Sequence, residues 1–96
     1  MFLFLAFRVM SKSLPDKFRR DGNEFRLLEK GDRYMIYEGY PIGHAEGADV
    51  FYEYFEIRVD ADGNELYPDD DAFGDWAWAS FSLDKVNSNL VKKGLK

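Results

Sequence analysis

The sequence contains no cysteine. That excludes disulfides, a thiolate nucleophile and a zinc–cysteine cluster. A secreted chain of 96 residues would often carry disulfide staples, so their absence suggests a cytoplasmic chain. Histidine occurs once, at His44. There is no nucleophile elbow, no phosphate-cradling glycine loop and no histidine-based metal motif. Cations are missing from the middle of the chain. Residues 46–75 hold eleven acids against the single base Arg58 and carry −10, while the rest of the chain carries +5. Such a field repels nucleic acid over one region and attracts basic partners there.

Long apolar runs are absent as well. "MFLFLAFRVM" opens the chain, but Arg8 follows the apolar run, where a signal peptide places its charge before it. A membrane span needs about 20 apolar residues. The alternation of Leu3, Leu5, Phe7 and Val9 with Phe2, Phe4 and Ala6 reads instead as a buried strand. Met10 is a second candidate start, because "MSKSLPDKF" reads as a natural opening.

What is abundant is aromatic. Nine Phe, six Tyr and two Trp make up 18% of the chain, so a core built on rings is expected. The pattern predicts one domain: residues 1–12 an apolar strand or extension, 13–82 a sheet, 83–95 a helix. "EFRLLEK" (24–30) alternates, with Phe25 and Leu27 on one face and Arg26 and Lys30 on the other. "YMIYEGY" (34–40) pairs with it through the turn at Gly31-Asp32. "VFYEYFEIRVD" (50–60) places Phe51, Phe55, Ile57 and Val59 on one face, with Glu53 interrupting. "WAWASFS" (76–82) supplies another strand, with Trp76 and Trp78 on one face beneath the helix. Ser82 is an N-cap, Asp84 suits the first turn, and Leu83, Val86 and Leu90 keep helical spacing. Asn87, Ser88 and Asn89 are weak helix formers, so that helix depends on docking. The expected fold is α+β: an antiparallel sheet of four to five strands with one C-terminal helix packed on it.

The chain resembles a loose set of short uncharacterised proteins of phage and mobile-element genomes. The likeness rests on Leu14-Pro15, Phe18, Gly22 and Phe25, then Tyr34 to Glu38, "YFEIRV" (54–59), Tyr67-Pro68, Phe73-Gly74 and Ala77-Trp78. It covers roughly residues 14–90. The resemblance implies a phage-like origin and supports the fold, and it carries over no functional residues.

Three functions follow as expectations. The first is a non-enzymatic protein-binding module that inhibits a host nucleic-acid-handling or defence protein, in the manner of an anti-CRISPR or a nucleic-acid mimic. Its face would comprise Glu53, Glu56, Asp60, Asp62, Glu65, Asp69, Asp70, Asp71 and Asp75, flanked by Tyr52, Tyr54, Tyr67 and Trp76. Carboxylates on alternate strand residues recur every ~6.6–6.8 Å and could imitate phosphates. The partner would be a basic protein surface in the host cytoplasm, with no direct nucleic acid, no membrane and no cofactor. The second is an assembly or virion protein that dimerises through residues 1–9. The third is a metal protein or small enzyme. His44, Glu46 and Asp49 could form a metal or acid–base site. Asp60, Asp62 and Asn64 hold the first, third and fifth places of a calcium loop. That loop departs from the pattern at Glu65, Pro68 and Asp71, so a plain hairpin turn competes with it.

Overall fold

The computed structural model describes residues 12–43 and 49–96. Five strands form one antiparallel sheet in sequence order: β1 Lys17–Arg20, β2 Asn23–Lys30, β3 Tyr34–Pro41, β4 Phe51–Glu56 and β5 Ala77–Ser80. One helix follows, α1 Leu83–Lys92. The fold is α+β, as the sequence predicts. The expected strand at residues 1–9, with its dimer, and the His44–Glu46 half of the histidine site lie outside the described residues.

β1 was not expected. Its sequence, Lys-Phe-Arg-Arg, has one apolar side chain and so almost no alternation. The turn after it carries the signal. Arg20 pairs with Asn23 across Asp21-Gly22, both at positive φ (52° and 82°), as a tight two-residue hairpin requires.

Neighbouring residues of β4 face opposite ways, so Tyr54 and Phe55 belong to different cores. One face gathers Phe25, Met35, Tyr37, Phe55, Ala72 and Ala77. The connection between β4 and β5 covers it, through Tyr67 and Phe73. The other gathers Tyr34, Ile36, Tyr54, Val86, Leu90 and Leu95 beneath α1. Gly39 sits where Phe25 and Phe51 meet edge to face. A Cβ there would lie 2.6 Å from the Phe51 ring, so the aromatic packing requires glycine.

α1 is capped at both ends. The Ser82 side chain accepts from Lys85 N, as expected. At the other end Gly94 (φ 74°) turns the chain, Gly94 N donates to Val91 O, and Leu95 N donates to Leu90 O. This is a Schellman closure, and it carries Leu95 back onto the helix core.

Three expectations about faces are corrected. A bulge at Leu28 shifts the β2–β3 register, so Lys30 pairs with Met35 and leaves the Arg26 face. β4 ends at Glu56. Beyond it only a bridge between Val59 and Glu65 continues, around the Asp60–Asn64 turn. β5 starts at Ala77, because residues 72–76 turn: Asp75 N and Trp76 N both donate to Ala72 O. The period of two therefore does not link the tryptophans. Trp78 joins the helix-side core against Tyr54, whereas Trp76 packs against Phe55 in the other.

Candidate interaction surface

The acidic segment does not form one row. Glu53 and Glu56 are three residues apart on β4 and project to opposite faces. Glu53 lies on the aromatic face, its side chain 13% exposed. Its Oε1 accepts from the Tyr67 hydroxyl at 2.6 Å and from Arg20 Nη2 at 3.1 Å. The Arg20 guanidinium stacks 4.8 Å from the Tyr67 ring centroid and 5.1 Å from that of Phe25. The interruption in the apolar face of β4 is thus an ion pair roofed by rings. A carboxylate at an apolar position predicts such a cation, but β1, which supplies it, was not legible.

Other acids are absorbed into the fold. Glu56 pairs with Arg58 at 3.1 Å. Glu65 accepts from Lys30 Nζ at 2.8 Å and from Leu14 N at 2.9 Å, stapling β2 to the entering chain. Burial raises the Glu65 pKa, but Lys30 and the Leu14 N–H outweigh it and hold the carboxyl below its usual value. Asp60 accepts from the backbone N–H groups of Asp62 and Asn64 and from Asn64 Nδ2. Those bonds, led by the Asn64 N–H, lower its pKa. The first and fifth places of the supposed calcium loop therefore bond each other, as in an ordinary turn. No group of three or more potential ligands of the His, Cys, Asp and Glu type comes together among the described residues. Asp69 caps the 3-10 turn Asp70–Ala72 by accepting from Ala72 N.

Of the expected aromatic flank, Tyr54 is corrected outright. It is 1% exposed under α1, and its hydroxyl accepts from Asn89 Nδ2 at 2.6 Å. Tyr52 is half-buried against the same core, and Tyr67 is half-buried with its hydroxyl committed to Glu53.

Asp60, Asp62, Asp69, Asp70, Asp71 and Asp75 are all exposed. The last three stand on the connection from the 3-10 turn to β5. Asp70 and Phe73 line a cleft of about 390 Å³ over the aromatic face. Asp75, Trp76 and Trp78 line a groove of about 280 Å³ at the far end, with Arg33, Glu56 and Lys93. Both indoles are half-exposed there. Arg58 stands 5.0 Å over Trp76, and Lys93 Nζ 4.2 Å over Trp78. Arg33 also donates to Gly94 O, tying the helix end to the β2–β3 turn. Arg33 and Lys93 were missed because only the fold brings them to the tryptophans.

Burial, then the charges of Glu65 and Asp16, pushes the Tyr37 hydroxyl up to about 12. Burial and its bond to Glu53 push Tyr67 up as well. A raised tyrosine pKa favours the neutral folded form. The stabilisation is complete below the ordinary value of 10.0 and is lost as pH rises through about 12. Alkaline titration should therefore ionise these two rings only together with loss of the folded circular dichroism, at pH above the ordinary value of 10.0. Ring NMR signals of Tyr37 and Tyr67 titrating near pH 10 in a folded chain would contradict it.

Among the described residues, no helix is long and apolar enough to cross a membrane. Comparison with protein-family models, curated proteins and solved structures found no match to this chain.

Proposed function

We propose that this chain is a small acidic protein-binding module, of phage-like origin, that inhibits a nucleic-acid-handling or defence protein by occupying its basic surface. The observation that carries this reading is the exposure of Asp70, Asp71 and Asp75 on the connection that leads into the half-exposed Trp76 and Trp78, with Asp75 lining the same groove as both indoles. Tryptophan flanked by arginine is the usual anchor of a protein interface. Exposed carboxylates beside it favour basic surfaces and speed association. With Glu53 and Glu56 on opposite faces, the proposed mimic is a compact acidic ridge rather than a phosphate-spaced row.

The test uses the tagged full-length chain as bait in host lysate, beside a triple variant Asp70→Asn, Asp71→Asn, Asp75→Asn. These side chains are exposed, so the variant should melt like the parent. A partner held by the parent should be lost by the variant, bind more weakly as salt rises, and be displaced by DNA. A partner indifferent to salt and to the triple substitution, or one that binds DNA and this chain at once, rejects the reading.

A further inference from the structure

We propose that the cleft between β1 and the 69–75 connection is a receptor for a basic side chain on the partner's surface; this rests on, and sharpens, the binding reading above. Three carboxylates, Asp21, Glu53 and Asp70, line it against the single guanidinium of Arg20. Its walls are the rings of Phe25, Phe51 and Phe73. A small residue keeps its floor low, since Ala79, opposite Glu53 across the β4–β5 pair, is exposed at the sheet edge. Excess negative charge between aromatic faces suits a cation, through carboxylate pairing and ring quadrupoles together.

The fold already contains one such complex. Arg20 lies over Phe25 and Tyr67 while bonding Glu53 Oε1. That oxygen takes both of the Glu53 bonds, and no fully buried side-chain polar atom lacks a partner among the described residues. The second oxygen, Oε2, is therefore not sealed from solvent. With Asp70 lining the same cleft, Glu53 can receive a second guanidinium or ammonium group. Arg20 pairs with both Asp21, at 3.7 Å, and Glu53, at 3.1 Å, but brings one positive charge against three carboxylates, so the cleft keeps its attraction for cations.

A capped tri-arginine peptide titrated into the isotopically labelled full-length chain tests this by NMR. Saturable shifts should centre on Phe51, Glu53, Asp70, Phe73 and Ala79. Asp70→Asn should weaken binding about two- to five-fold, the range for one exposed charge pair. Asp71→Asn, one residue away and outside the cleft lining, should change it less. Ala79→Leu, which fills the floor from an exposed position, should abolish it with the melting temperature kept. If that variant fails to fold, the Asp70 and Asp71 comparison still decides. Unsaturable shifts, equal losses for both aspartates, or undiminished binding by folded Ala79→Leu would overturn the proposal. A lysate partner that is lost by the triple aspartate variant but kept by Ala79→Leu removes the cleft and leaves the module reading standing. Saturable peptide binding in the cleft, without any partner sensitive to the triple variant, does the reverse.

Discussion

Leu90→Ala should cost about 3 kcal/mol and lower the melting temperature by roughly 15 °C for a domain of this size. Leu90 is fully buried and joins Val86 and Leu95 to Ile36 and Tyr54. It also accepts the closing bond of the Schellman turn from Leu95 N. α1 has ten residues and carries Asn87, Ser88 and Asn89 in its middle. A helix that short is marginal alone in water, so its stability comes from this contact. The exposed neighbour Val91 is the control, with an expected change within about 0.5 kcal/mol on substitution by alanine. Chemical denaturation followed by tryptophan emission measures both, since Trp78 sits in the same core. Equal stability of the two variants would mean that the helix is not docked through Leu90.

The second large effect concerns Glu53. Glu53→Ala should cost about 2 kcal/mol, below the ~3–5 kcal/mol for breaking a fully buried ion pair. Arg20 explains the discount, because its side chain is 36% exposed and can rehydrate. The Tyr67 hydroxyl, held within the aromatic core, has no such relief and loses its acceptor. Tyr67→Phe alone should cost about 1 kcal/mol. Added to Glu53→Ala it should cost nothing or restore stability, because it removes the orphaned hydroxyl. A double-mutant cycle by urea unfolding reads this coupling directly. Additive losses, within about 0.3 kcal/mol, would show that Glu53 and Tyr67 act independently.

That pair also shows how far the candidate surface could be read from the sequence. Glu53 and Tyr67 were both singled out as surface groups for a partner, and the fold instead uses each to satisfy the other. Thirty residues rich in acid are visible in any listing of the chain. Which carboxylates cap a turn, staple a strand or face solvent depends on partners far away in sequence. Arg20 is 33 residues from Glu53, and Leu14 is 51 from Glu65.

Local chemistry alone determined much of the rest. Aromatic and aliphatic residues, with Ile36 the one β-branched member, set β3 and most of β2 and β4, and Ser82, Asp84 and the spacing of Val86 and Leu90 set α1. The Asp-Gly pairs at 21–22 and 62–63 fall in turns. These features depend on steric and hydrogen-bonding preferences within a few residues, so they survive without knowledge of the fold. Only the tertiary structure decided the bulge that turns Lys30 toward Glu65 and the turn that separates Trp76 from Trp78. The same holds for the burial of Tyr54 and the gathering of Asp21, Glu53 and Asp70 around one cleft. Each follows from which strand lies beside which, and that is set by packing two aromatic faces at once.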